Sequence, residues 1–235
     1  LRASEVAAIS EVVAAGSRAL SQELKNLHAT LEKRQAQQNQ NTLAQLEAFA
    51  RLQAYMGPDF IIPDMHGWPI SPDFAVLLIR VVEAGGYDAV IEFGSGVSTA
   101  VLAKALMKVT QPNGSAPVPF VSFDHLEKYY HQTAASLDQA QLRHQVDLQL
   151  VPLAKVELSD STSCQYYTCQ PALTQLRKRL DKTCPKILVI VDGPPAATSP
   201  KARYPAIPLL WETFEGKADF DVLLTPTLAT PPIPI

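Results

Sequence analysis

The hydrophobic and polar positions divide the chain into three regions. From about Glu5 to Tyr55 there is no proline and a single glycine, Gly16. Val6, Ile9, Val13, Leu20, Leu24, Leu27 and Leu31 recur there at three- and four-residue steps. This is a heptad-like seam, the pattern of a helix that pairs with another helix. The seam lapses in the polar tract Gln35 to Asn41 and resumes out of phase at Leu43, Leu46, Phe49 and Leu52. Such a phase break reads as a stutter or a hinge. Oligomerisation through this helix is the expectation, against the plainer alternative of an amphipathic helix lying on its own domain.

Gly57-Pro58 ends that pattern, and short apolar runs then alternate with helical ones. Ser71-Pro72-Asp73 starts a helix, with Ser as N-cap and Pro at the first helical position, and Gly85-Gly86 ends it. Strands are predicted at Ala89–Phe93, Val118–Phe123, Val146–Val151, Lys186–Val191 and Phe220–Leu224. Helices are predicted after Gly96, at Leu126–Leu137, at Leu173–Leu180 and before Phe214, with a loop over Ser159–Cys169. Lys186-Ile-Leu-Val-Ile-Val-Asp192 is the clearest buried strand, a continuous aliphatic run suited to a parallel sheet covered on both faces. The alternation implies an α/β fold, a Rossmann-like, doubly wound, mostly parallel sheet with a long N-terminal helix. The tail from Thr225 to Ile235 carries four prolines and cannot extend a central strand. The expected division is 1–56 helical, 57–224 α/β and 225–235 tail.

Composition narrows the functional classes. The chain of 235 residues is 47% apolar, ordinary for a globular protein, and its net charge of −3 gives no broad basic field for nucleic acid. Three cysteines without a C-x-x-C pair argue against a disulfide framework or a zinc site and fit a reducing, cytoplasmic setting. No apolar run reaches membrane-spanning length and no signal peptide is visible.

The chemistry gathers around Asp88-Ala-Val-Ile-Glu-Phe-Gly-Ser-Gly-Val-Ser-Thr99, which reads as strand, tight turn and helix. Gly94 and Gly96 let the backbone turn sharply and approach a ligand, and the helix N-terminus points to the same place. A dinucleotide fingerprint would need a third glycine where Thr99 stands. Asp124, about thirty residues on at the end of the second strand, sits where nucleotide-binding sheets reach ribose hydroxyls, and also where a carboxylate caps the next helix. Asp192 is delivered to the carboxyl edge of the sheet, the ligand-binding edge of open α/β folds. His66 and Trp68 are candidates for a substrate pocket, although such residues alone more often serve packing.

Taken together, Val90 to Thr99, Ser122-Phe-Asp-His125, Val189-Ile-Val-Asp-Gly-Pro-Pro195 and Ala202-Arg-Tyr-Pro-Ala206 resemble class I S-adenosylmethionine (SAM)-dependent methyltransferases, nearest the bacterial small-molecule and glycan O-methyltransferase-like branch. The resemblance covers about Pro69 to Leu224. It implies SAM as cofactor, held by Glu92, Phe93, Gly94, Ser95, Gly96, Ser98 and Thr99, with Asp124 on the ribose and Leu153 beside the adenine. It implies methyl transfer to a hydroxyl of a small molecule or glycan, with Asp192 the first candidate base and His125 the second. Trp68, Arg203 and Tyr204 are the expected acceptor contacts, Arg203 and Tyr204 suiting an acidic or sugar-like acceptor. Relatives usually carry an acidic pair after the fifth strand and then two more strands. Here Leu224 is followed by the proline-rich tail, so the sheet is expected to be C-terminally incomplete and no metal is expected. Asp221 to Thr227 also looks like a segment of amidase-signature hydrolases, with no Ser-Ser-Lys apparatus upstream. The rival reading is a non-catalytic oligomeric scaffold with a degenerate methyltransferase-like domain.

Overall fold

The structure, a computed structural model, describes residues 3–58, 60, 70–110, 116–157 and 163–225. His66, Trp68 and the tail beyond Thr225 lie outside the described residues. The chain divides into two units, Leu1–Ala48 and Phe49–Ile235.

The first unit is built from helix α1 (Ala3–Met56), whose last two turns belong to the second unit. The helix is unbroken through Gln35–Asn41, so that tract is no hinge. Its Gln and Ala residues are good helix formers, and propensity carries the helix where the seam lapses. Leu20, Leu24, Leu27 and Leu31 are each 53–59% exposed, and Leu43 and Leu46 are also exposed. Within this unit the seam from Leu20 to Leu31 is therefore uncovered among the described residues.

The second unit is an α/β sandwich. Leu52 and Met56 of α1 enter its core beside Phe60 and Ile70. The chain then runs through α2 (Pro72–Gly85), β1 (Ala89–Phe93), α3 (Val97–Thr110), β2 (Phe120–Asp124), α4 (Glu127–Gln139) and β3 (Asp147–Leu150). There follow β4 (Leu153–Glu157), β5 (Ser163–Tyr167), α5 (Gln170–Arg179), β6 (Lys186–Val191), α6 (Ala206–Thr213) and β7 (Asp219–Leu224). Five strands form one parallel sheet in the order β3-β2-β1-β6-β7, while β4 and β5 pair antiparallel with each other. Counting only the parallel strands, the order is 3-2-1-4-5, the doubly wound pattern.

Alternation along each strand divides the core. Val90, Phe120, Leu148, Leu188 and Ile190 pack with α2, α3 and α4 on one face. Ala89, Ile91, Phe93, Val121, Phe123, Ile187, Val189 and Val191 pack on the other, with α5, α6 and the tyrosines of β5. The central strands β1 and β6 are buried from end to end, save for partial exposure of Lys186, which is why both read as continuous apolar runs.

Two local expectations are corrected. Ser163–Tyr167 is a strand rather than a loop, since Cys164, Tyr166 and Tyr167 are buried while Ser163 and Gln165 face out. Ser71 occupies the N-cap of α2 without capping it through its side chain: its hydroxyl donates to Asp73 Oδ1, which also accepts from the Phe74 amide. Among the described residues no helix is long and apolar enough to cross a membrane. Cys164 and Cys169 are buried and Cys184 is exposed.

Candidate functional site

In an order of 3-2-1-4-5 the chain reverses its direction of travel across the sheet between β1 and β6. The crevice outside the carboxyl ends of these two strands is the usual ligand position. The two ends meet closely. Phe93 C=O accepts from the amides of Asp192 (2.8 Å) and Gly193 (2.6 Å). Gly94 has φ +98°, and a Cβ on it would come within 2.7 Å of the Gly193 nitrogen. Gly94 is thus required by the crossing itself.

Gly96 differs. Its φ lies outside the left-handed region, and a Cβ there would meet nothing within 4 Å. Its amide donates to Thr99 Oγ1 (2.9 Å), and Thr99 Oγ1 donates to Glu92 Oε2 (2.6 Å). Ser122 Oγ on the neighbouring strand donates to the same Glu92 oxygen at 2.6 Å. Glu92 has no exposed surface, and burial pushes its carboxyl up to about 7 against the pull of these hydroxyls and of Ser98. Its Oε1 is buried without a hydrogen-bond partner among the described residues. Phe93 points to the opposite face and stacks on Phe123. Of the predicted turn residues, Gly94, Ser95 and Gly96 are part-exposed, while Glu92, Phe93, Ser98 and Thr99 lie inside the fold.

Asp124 closes the other side of the turn. Its Oδ2 accepts from the Ser95 hydroxyl (2.7 Å) and amide (3.3 Å), and its Oδ1 accepts from the Leu126 amide (2.9 Å) at the entrance to α4. His125 follows, half-buried, with its ring edge-on to Tyr167 at 5.7 Å. Burial holds the imidazole below its ordinary value although Asp124 pulls the other way; Nδ1 lies 4.0 Å from Asp124 Oδ1 and has no hydrogen-bond partner among the described residues. Leu153 opens β4 and pairs across the hairpin with Tyr167.

At the end of β6, Asp192 is partly open. Its Oδ1 accepts from Thr225 Oγ1 and lies 3.6 Å from Arg203 Nη2. Burial raises the carboxyl above its ordinary value, and the Thr225 and Arg203 contacts oppose that. Arg203 also donates through Nη1 to the Thr225 carbonyl (2.5 Å) and hydroxyl (3.0 Å). It is mostly buried, whereas its neighbour Tyr204 is exposed and faces Lys201. The site brings together Asp124, His125, Asp192, Arg203 and the glycine turn, and Tyr204 stands at its margin.

Sequence reasoning missed two participants. Tyr167 is buried beside Gly193, with Asp124, Asp192 and Arg203 all close enough to act on its hydroxyl, and burial lifts that hydroxyl well above its ordinary value. Thr225 sits beside Asp192 because β6 and β7 pair in register up to Val191 and Leu224. Among the described residues no three of His, Cys, Asp and Glu converge as a metal cluster.

No family model matches the chain, and no curated protein matches it. Solved structures do. An O-methyltransferase from Bacillus cereus in complex with SAH is 16% identical, over 73% of this chain and 61% of that one, with a TM-score of 0.40. An O-methyltransferase of Streptomyces achromogenes involved in tomaymycin synthesis, in complex with SAM, is 16% identical over 76% of this chain and 63% of that one, with a TM-score of 0.41. A SAM-dependent methyltransferase from Agrobacterium tumefaciens is 12% identical over 68% and 47%, with a TM-score of 0.38. The chain spans less than two thirds of the length of each of these three proteins.

Proposed function

We propose that the crevice between β1 and β6 binds SAM and that the protein transfers its methyl group to a hydroxyl of a small molecule or glycan. The observation that carries this reading is Gly96. The fold needs no glycine there, for φ is unstrained and the Cβ position is empty, yet the residue stands at the ligand edge of the sheet. A glycine in such a place suits close approach of a ligand to the backbone. The surrounding groups fit the cofactor. Asp124 and Asp192 stand at the crevice with Arg203 as the cation beside them, a balance that tolerates a sulfonium, and His125 Nδ1 has no hydrogen-bond partner among the described residues.

SAM supplies an electrophilic methyl on a sulfonium. In this reading Gly94, Ser95 and Gly96 present backbone to it, and Asp124 takes its ribose hydroxyls once Ser95 yields Oδ2. Glu92 acts at one remove: sealed beneath the turn, it holds Thr99, which receives the Gly96 amide. Leu153 lies beside the adenine. Alignment of the acceptor oxygen supplies much of the rate, and removal of its proton is worth roughly 10²–10⁴-fold. Asp192 is the proposed proton acceptor, with His125 second, and Tyr204 and Trp68 are proposed acceptor contacts.

Calorimetry with SAM tests the reading. Gly96→Ala should leave unfolding stability equal or raised by about 0.4–1 kcal/mol, while SAM affinity falls about tenfold or more. Equal affinity in the two proteins would sink it.

We also propose that the Leu20–Leu31 seam pairs with a second copy of the chain, in a cytoplasmic setting. The support is that four leucines at heptad spacing are left uncovered within their own unit. Leu24→Glu with Leu27→Glu should lower the mass in light scattering to that of one chain. A native chain that is already monomeric would refute the pairing.

A further inference from the structure

We propose that Thr225 and Arg203 are positioning residues for Asp192, together holding its Oδ1 and leaving Oδ2 to take the proton of the acceptor hydroxyl. The origin of that proton rests on the methyl-transfer reading, while the holding of the carboxylate does not.

The arrangement is directional. A guanidinium only donates, and a threonine hydroxyl carries one proton and two lone pairs. Arg203 Nη1 lies 3.0 Å from Thr225 Oγ1 and 2.5 Å from the Thr225 carbonyl. A lone pair of the hydroxyl therefore faces Arg203, and of the two acceptors open to its proton Asp192 Oδ1 is much nearer than the Val191 carbonyl at 3.4 Å. Arg203 Nη2 adds its charge to the same oxygen at 3.6 Å. Oδ2 takes no hydrogen bond among the described residues. One carboxylate oxygen is thus anchored and the other is free, as an aimed base requires.

The surroundings favour this use of Arg203. The other titratable groups acting at this position are Glu92 and Tyr167, and Tyr167 also feels Asp124. Arg203 supplies the positive charge among them. Its Nε is buried without a partner among the described residues, an arrangement that costs stability. A guanidinium so enclosed between Asp192 and Thr225 is committed to the carboxylate. Arg203 then does not recognise the acceptor, which differs from the expectation that it holds an acidic one. In the step itself the acceptor oxygen gains the methyl, its proton passes to Asp192 Oδ2, and the electrons of the broken carbon–sulfur bond stay on sulfur.

The test reads the carboxyl directly, without an acceptor. The full chain is labelled with ¹³C at the aspartate carboxyls, and the Asp192 signal is identified by its loss in Asp192→Asn. Thr225→Val and Arg203→Met should each raise the midpoint of the Asp192 titration by about one pH unit, the effect of losing a donor or a nearby opposite charge. Thr225→Ser, which keeps the hydroxyl, should restore the native midpoint. Thr225 is at the end of an edge strand, so Thr225→Val carries the test if Arg203→Met fails to fold. An unchanged midpoint in Thr225→Val overturns the proposal, as does a Thr225→Ser midpoint displaced as far as that of Thr225→Val. SAM calorimetry on the same samples separates the two readings. Absence of SAM binding sinks methyl transfer and leaves the titration result standing.

Discussion

The ends of β1 and β6 lie side by side and each offers an acid, Glu92 and Asp192, yet the two carboxyls are handled in opposite ways. Glu92 is sealed under the glycine turn with one oxygen saturated by hydroxyls and the other without a partner. Asp192 stands partly open, with one oxygen anchored by Thr225 and Arg203. Burial raises both, but only Asp192 has a cation to counter it. The difference teaches that an acid at the ligand edge of a sheet is not thereby a ligand contact. Glu92 pairs with Ile190, two residues before Asp192, so the first side chain lies within the sheet under the helix and the second lies past the end of β6.

Three substitutions would break or sharpen this contrast. The largest effect is expected from Gly94→Ala, which places a Cβ within 2.7 Å of the Gly193 nitrogen at a left-handed φ. Both strand ends would have to part, and a loss on the order of 3 kcal/mol or more is expected in urea unfolding. A loss below about 1 kcal/mol would show that the ends are not pressed together. Next comes Asp192→Asn, which keeps shape and hydrogen bonds but loses proton acceptance. With an acceptor found by screening, turnover should fall about a hundredfold or more while SAM affinity changes little. Full turnover would remove Asp192 from the chemistry.

The smallest effect is expected from Glu92→Gln, and it appears as a pH dependence. The folded Glu92 carboxyl sits at about 7 against an ordinary 4.5. Between these values the unfolded chain gives up its proton while the folded one keeps it. Native stability therefore falls as pH rises through this window and stays lower above it. The stability of Glu92→Gln relative to the native chain should rise by roughly 2–3 kcal/mol from about pH 4.5 to about pH 7.5. A gap independent of pH would mean that Glu92 ionises in the fold as readily as outside it, and that the two acids are less different than their surroundings imply.

The parts legible in the sequence were those with a strong periodic or steric signature. Strands β1 and β6 announce themselves because burial on both faces demands unbroken apolar runs, and Gly94 and Gly96 mark the turn. Asp124 and Asp192 follow from strand ends. What stayed hidden depends on pairing. Strand β5 alternates Ser, Cys, Gln and Tyr, too mixed in polarity to stand out, and becomes a strand only against β4. Thr225 reaches Asp192 solely because β7 pairs in register with β6, which no local pattern encodes. Arg203 was visible as a residue of interest, but its inward turn toward Asp192 depends on the same register. The two glycines of the turn look alike in sequence, and only the structure separates the one the backbone crossing demands from the one it does not.

The shared carbonyl of Phe93 has a mechanical consequence. It is bonded by the amides of both Asp192 and Gly193, while Gly94 and Gly193 press backbone to backbone above it. The two walls of the crevice are thereby riveted at a single peptide unit. A displacement of Phe93 at the start of the glycine turn therefore reaches the Asp192 amide through hydrogen bonds between backbones. The spacing between the two strand ends is thus set by backbone atoms alone.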